Sequence, residues 1–159
     1  MIARDIMTSR VVSVPPTAPI RDVADLLAEY RISGVPVVDE QGQMLGLVTE
    51  ADLISKQGKT AADIMSARVV TVREATPVDE IAQILTSNRF KRVPVMRDER
   101  LVGIVSRADI VRMMASRWFC AVCGAIEHGR RPDACPTCGA DGSRFERELD
   151  PRPEVTQHQ

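Results

Sequence analysis

Apolar positions along the first 116 residues alternate between two periods. Ile20, Val23, Ala24, Leu27 and Tyr30 fall three and four apart, a spacing that predicts an amphipathic helix. Residues 35–38 and 44–48 are short apolar runs on either side of Asp39-Glu40-Gln41-Gly42, a turn segment, and predict a hairpin. Residues 11–14 form a β-branched run that stops at Pro15-Pro16 and read as a leading strand. A second short helix is expected near residues 51–56. The order is therefore strand, helix, strand, strand, helix.

The same order then repeats. At an offset of 58, Asp5-Ile6-Met7-Thr8 falls on Asp63-Ile64-Met65-Ser66, and Arg10-Val11-Val12-Ser13-Val14 falls on Arg68-Val69-Val70-Thr71-Val72. Val35-Pro36-Val37 falls on Val93-Pro94-Val95. One residue is lost in the turn, after which Gly46-Leu47-Val48-Thr49-Glu50-Ala51-Asp52 falls on Gly103-Ile104-Val105-Ser106-Arg107-Ala108-Asp109. So many ordered matches mark an internal duplication, with copies at 1–58 and 59–116. A βαββα unit of under 60 residues has too little core to stand alone, so the two copies are expected to pack sheet against sheet and leave two equivalent clefts.

These motifs give the duplicated unit a likeness to a known family. Asp-Ile-Met-Thr/Ser at the start, Gly-Val-Pro-Val-Val and Arg-Val-Pro-Val at the second strand, and Gly-h-Val-Thr/Ser-x-x-Asp at the close (h apolar) resemble a tandem pair of cystathionine-β-synthase (CBS) domains, a Bateman module. The resemblance implies an α/β (α+β) fold with two packed sheets. It also implies that AMP, ADP, ATP or S-adenosylmethionine binds in the clefts, and that the module acts as a sensor.

The closing motif has physical reasons to hold a nucleotide. Gly46 and Gly103 sit where the backbone must pass closely. Thr49 and Ser106 begin helices, where a hydroxyl and free amides can hold phosphate, and Asp52 and Asp109 can accept from ribose hydroxyls. The alternative is plain helix capping, with each Asp at the positive end of its helix. By resemblance each cleft mixes the copies. Thr49 and Asp52 are expected to face Val70, Lys91 and Arg92; Ser106 and Asp109 are expected to face Val12, Ser33 and Gly34. The cations at Lys91 and Arg92 favour the Asp52 cleft for AMP or ATP.

The chemistry changes after residue 116. All four cysteines lie there, as Cys120-x2-Cys123-x11-Cys135-x2-Cys138, and each pair runs into glycine, at Gly124 and Gly139. Two such knuckles can converge four thiolates on one tetrahedral ion. Two disulfides are the alternative, and nothing else in the sequence suggests an oxidising compartment. With Trp118, Phe119, Pro132, Pro136 and Phe145, the segment 117–148 resembles the rubredoxin-like domain of rubrerythrins and equally a zinc ribbon. Iron and zinc both remain open. Trp118, Phe119 and Phe145 are three of the five aromatic residues, and are expected to form the small core that the metal staples. His128 reads as a solvated loop residue, and 149–159 as a disordered tail.

Composition narrows the function. The formal charge of −1, from 21 basic and 22 acidic residues, gives no global pull toward nucleic acid or anionic membrane. Residues 1–7 do not read as a signal peptide, and no apolar run approaches the ~20 residues of a membrane span. A soluble cytoplasmic protein is the expectation. No nucleophile–base pair, carboxylate dyad or Gly-rich phosphate loop is present, so an enzyme is not expected. The leading reading is a nucleotide-binding regulatory protein joined to a four-cysteine iron or zinc module. It would act as a homodimer, because the long helices leave an apolar stripe, and on a regulated protein that the sequence does not identify. Two alternatives stand beside it: a small electron carrier modulated by nucleotide, and a zinc-ribbon docking factor for nucleic acid or protein. Seven acidic against six basic residues after Ser116 weaken the docking of nucleic acid.

Overall fold

The computed structural model describes residues 1–147, so the expected tail at 149–159 lies outside the described residues. The chain divides into two compact units, one ending at Ile110 and the other beginning at Val111.

In the first unit the predicted elements form within a few residues of their expected bounds. Helix α2 (Ile20–Tyr30) precedes the antiparallel hairpin β1 (Gly34–Val38) and β2 (Met44–Thr49), and helix α3 (Glu50–Ser55) follows. In copy two, α5 (Val78–Ser87), β4 (Arg92–Arg97), β5 (Arg100–Ser106) and α6 (Arg107–Met114) repeat the series. Both hairpins carry the same irregularity, between Val37 and Val38 and between Val95 and Met96. Arg31, which caps α2, and Arg89, two residues beyond α5, both lie in the left-handed region, at φ 50 and φ 55, so the duplication extends to backbone detail.

The leading strand is shorter than its sequence suggests. In copy one it is a single parallel bridge, Val14 to Val37; in copy two it is the two-residue strand β3 (Val72–Arg73), parallel to β4. The proline after Val14 removes a donor and ends the ladder. The rest of each β-branched run is occupied differently. Thr8 bridges Ile104 of copy two, and Ser66 bridges Leu47 of copy one. Segments 8–14 and 66–72 therefore cross from one copy to the other.

Two short helices ahead of the crossings, α1 (Ala3–Ile6) and α4 (Ala61–Ile64), have no apolar period and were invisible to the pattern. Each is docked on the opposite copy. Ala3 N–H donates to Thr76 O and Ala61 N–H donates to Ala18 O, both at 2.8 Å. Ala61 and Ile64 complete the core of copy one, with Val23, Leu27, Val35, Val37 and Val48. Ala3 completes the core of copy two, with Ile81, Leu85, Val93, Val95 and Val105, and Ile6 and Met7 pack against it. Neither copy closes its own core. The two glycines of the closing motif now have a structural reason. A Cβ at Gly46 would meet Met65 Sδ at 2.8 Å and Ser66 O at 2.9 Å, and one at Gly103 would run into the Met7 side chain.

This exchange makes a testable claim. Ile64 lies in copy two by sequence, yet it is 1% exposed in the core of copy one. Ile64→Ala is expected to destabilise the first unit by about 2–4 kcal/mol, the range for emptying a buried isoleucine site. Urea unfolding followed by circular dichroism measures it; a loss below about 0.5 kcal/mol would contradict the exchanged core.

Candidate functional site

The closing motifs form matching capping boxes. At the start of α3, Thr49 donates to Asp52 Oδ2 from its amide at 2.8 Å and from its hydroxyl at 3.0 Å, while Asp52 N–H donates back to Thr49 Oγ1 at 3.4 Å. At α6, Ser106 donates to Asp109 Oδ2 from amide and hydroxyl, both at 2.7 Å. Asp52 and Asp109 are the two charged residues buried in this unit, at 7% and 8% exposed. Capping is therefore real at both sites, and it fixes both carboxylates.

Asp52 has a further partner that the sequence reading did not single out. Lys56, one turn along α3, places Nζ 2.8 Å from Asp52 Oδ1 and also donates to Ile64 O at 3.1 Å and to Ser66 Oγ at 3.3 Å. Its i,i+4 spacing from Asp52 was the available signal. Burial raises the Asp52 pKa, but hydrogen bonds from Lys56 and from the Thr49 amide and hydroxyl outweigh it and hold the carboxyl below its ordinary value. A lowered carboxyl contributes stability at neutral pH, and that contribution fades only as pH falls below the ordinary carboxylate range.

The crossing segments place the remaining predicted residues. Segment 66–72 runs from Leu47, two residues before Thr49, to Val95, three residues after Arg92. Val70 lies on that stretch and is 43% exposed. Segment 8–14, with Val12, runs from Ile104, two before Ser106, to Val37, three after Gly34. By register, each crossing is flanked by a closing motif of one copy and a strand start of the other. Arg92 breaks this symmetry. Its guanidinium donates to Ser33 Oγ at 2.9 Å and to Gly34 O at 3.4 Å, although in register it lies opposite Ser106. Burial lowers its pKa, and the charges of Asp109 and Glu50 act the other way. Its Nε is buried without a hydrogen-bond partner.

Ser33, Lys91, Arg92 and Ser106 come together on one cavity of about 750 Å³. Arg31, Glu50 and Arg107 also line it, three residues that the sequence reading did not choose. Apolar wall is supplied by α2 and α3 through Leu27, Ala28, Leu53 and Ile54. Thr49, Asp52, Asp109, Gly34, Val12 and Val70 do not line this cavity.

In the second unit, β6 (Arg117–Cys120) pairs with both β7 (Ile126–His128) and β8 (Phe145–Arg147). His128 is the last residue of β7, opposite Arg117, rather than part of a loop. Each Cys-x2-Cys pair closes as the same knuckle. Gly124 N–H donates to Cys120 O and Gly139 N–H donates to Cys135 O, both at 2.8 Å, with the glycines at φ 77 and φ 74. That left-handed geometry is why glycine follows each pair. The core holds Cys120, Cys135 and Phe145, with Trp118, Ala125 and Ala140 against it. Phe119, expected in this core, is outside the cluster, because side chains alternate along β6 and it points away from Trp118 and Cys120. Trp118 is anchored by Nε1 donating to Gly129 O at 2.8 Å.

The four sulfurs lie within 4.8 Å of one another, and none is in a disulfide. Cys120 to Cys138 is 3.8 Å and Cys123 to Cys135 is 3.6 Å. Metal–sulfur bonds of about 2.3 Å put tetrahedral ligands about 3.8 Å apart, so the cluster fits one tetrahedral ion. The thiols differ in how readily they ionise. Burial raises Cys135, but N–H groups of Cys138 and Thr137 and neighbouring thiols bring it down to about 7. For Cys138 the Ala140 N–H lowers the pKa, yet Cys123, burial and the other thiols push it up to about 12. Four thiolates this close repel unless a cation joins them.

Comparison with known proteins follows the two units. The model for the CBS domain matches residues 3–59 and 61–116, and the model for the rubrerythrin rubredoxin-like domain matches residues 118–146. The chain belongs to the CBS-domain family, with a rubredoxin-like domain at its C-terminal end. Inosine-5′-monophosphate dehydrogenase of Methanocaldococcus jannaschii is 31% identical over 69% of this chain, but that match spans 23% of the relative's own length. The crystal structure of CBSX2 in complex with AMP aligns with a TM-score of 0.67 at 30% identity, over 70% of this chain and 93% of the other. The CBS domain pair of protein MJ0100, in complex with 5′-methylthioadenosine and S-adenosyl-L-methionine, aligns at 0.65 and 32%, over 70% and 94%. No helix among the described residues is long and apolar enough to cross a membrane.

The metal site carries its own test. Trp118 is the only tryptophan, so its fluorescence reports on the second unit alone. Cys123→Ser with Cys138→Ser, or a strong chelator, is expected to abolish ion binding and to shift Trp118 emission to that of an exposed indole. Circular dichroism of the CBS pair should be retained. Unchanged emission in the metal-free variant would show that the unit folds without its ion.

Proposed function

We propose that this chain is an adenine-nucleotide-binding regulatory protein, a CBS pair that senses nucleotide beside a four-cysteine iron or zinc module. One observation carries the reading. Each crossing segment is flanked by a fixed, buried carboxylate of one copy and the strand start of the other, in a fold that aligns closely with a pair bound to AMP. A carboxylate held by Thr49 or Ser106 is pre-oriented to accept from ribose hydroxyls, and Lys91 and Arg92 offer positive charge to phosphate. The ligand is read as a signal and not as a substrate, in keeping with the regulatory character of CBS pairs.

The assembly proposed is a homodimer, supported by exposed apolar residues on the helices and just beyond them: Tyr30 at 54%, Ile54 at 86% and Phe90 at 37%. Light scattering at tens of micromolar decides it, and a monomer mass refutes it. For the ligand, Asp52→Ala is expected to cost about 1.5–3 kcal/mol in nucleotide affinity, the worth of a charged hydrogen-bonding group. Asp52→Asn, which keeps an acceptor, should cost less. Equal affinity of wild type and Asp52→Ala by calorimetry rejects the assignment of that carboxylate.

A second reading makes the metal module an electron carrier with nucleotide as its modulator. It is favoured by the exposure of Cys123 and Cys138, which would bring two ligands of an iron ion to the surface. Bound iron would supply a one-electron couple and zinc would supply structure alone. Metal analysis of protein purified without added metal, with a visible spectrum before and after reduction, separates the two. A colourless zinc protein leaves only the first reading.

A further inference from the structure

The 750 Å³ cavity has an electrostatic character that the family likeness does not specify. Four cationic side chains line it, Arg31, Lys91, Arg92 and Arg107, against one carboxylate, Glu50. The cations are not equivalent. Arg107 is committed to the chain, donating to Phe90 O and Leu85 O, both at 2.9 Å. Arg92 is half committed, bound to Ser33 and Gly34 with its buried Nε unpartnered. The side chains of Arg31 and Lys91 have neither a hydrogen bond nor an ion pair among the described residues. Arg31 is held by the left-handed turn that ends α2, at φ 50, a conformation uncommon for a residue with a side chain. Two unpaired cations at exposed positions thus stand beside a third set into the wall.

We infer that this cavity receives the phosphate chain of the nucleotide and selects a nucleoside triphosphate over a monophosphate or a sulfonium nucleoside. The inference rests on the reading that the chain binds an adenine nucleotide, and it names which one. Ser106 links the cavity to the Asp109 motif, and Glu50, beside Thr49, links it to the Asp52 motif, so a phosphate chain leaving either cleft has a route to the same cations. A monophosphate carries about two negative charges at neutral pH, too few to engage Arg31, Lys91 and Arg92 together. A triphosphate adds two more and extends the chain. S-adenosylmethionine carries a positive sulfonium, and the excess of cations over Glu50 repels it. The volume lies within the usual range for a site that takes one small molecule.

The test is calorimetric titration of the full chain in magnesium-free buffer with ATP, AMP, S-adenosylmethionine and inorganic tripolyphosphate. ATP is expected to bind about tenfold or more tightly than AMP, with S-adenosylmethionine weaker than both. In Arg31→Ala/Lys91→Ala, two exposed positions whose loss leaves the cores intact, the ATP margin should collapse, with ATP losing about tenfold more affinity than AMP. Arg31→Lys/Lys91→Arg should restore the margin, and added salt should narrow it. Equal affinity for ATP and AMP, or a margin that survives in the double alanine variant, overturns the selection and leaves nucleotide binding standing. Failure of every adenine ligand overturns the reading beneath it. Tripolyphosphate binding as tightly as ATP assigns the cavity to inorganic polyphosphate and overturns the nucleotide.

Discussion

Each copy of the repeat withholds the helix that its own core lacks. Ala3 and Ala61 are fully buried, each in the core of the opposite copy, and the short helices that carry them are docked by backbone hydrogen bonds of equal length. A single βαββα unit has too little apolar surface to be stable, and contact through one flat face would leave it so. Exchange instead inserts side chains into each core and draws a crossing segment behind them. Those crossings are what run between the closing motif of one copy and the strand start of the other. The two proposed nucleotide sites therefore depend on the same exchange that supplies stability.

The closing motif caps its helix, and the ribose-holding role proposed for its aspartate builds on that capping. Capping satisfies one oxygen of each aspartate from the Thr49 or Ser106 amide and hydroxyl. A buried carboxylate needs such donors to remain charged. For Asp52 the second oxygen is held by Lys56, so any ribose hydroxyl there must share or displace that ammonium. Fixing by capping is what makes such a carboxylate useful, because an acceptor that is already oriented loses little entropy when a ligand arrives.

How much was legible depended on range. The long helices and hairpins were readable because their apolar periods are local, and the four cysteines because a knuckle is written in four consecutive residues. Helices α1 and α4 were not readable: one turn of Ala-Arg-Asp-Ile or Ala-Ala-Asp-Ile has no period, and its reason to be helical is the core of the opposite copy, distant in sequence. The run at residues 11–14 read as a strand from its β-branched content, yet the crossing uses most of it between sheets and leaves one bridge. Phe119 was misplaced because aromatic content was read without strand alternation. Lys91 and Arg92 stood out by their charge and by the place that the family resemblance gives them. Arg31 was passed over, since only the left-handed end of α2 brings it to the same cavity.

The methionine–glycine contacts have a consequence for the origin of the pair. Met65 lies on Gly46, and Met7 lies on Gly103, so the same two residue types meet twice with the copies reversed. Such a contact is isologous, the kind that two identical subunits make about a two-fold axis, here within one chain. A lone copy already owns both the methionine and the glycine that receives it. Two separate copies would hold every part needed to form the joint in trans, and covalent linkage adds effective concentration without adding a contact.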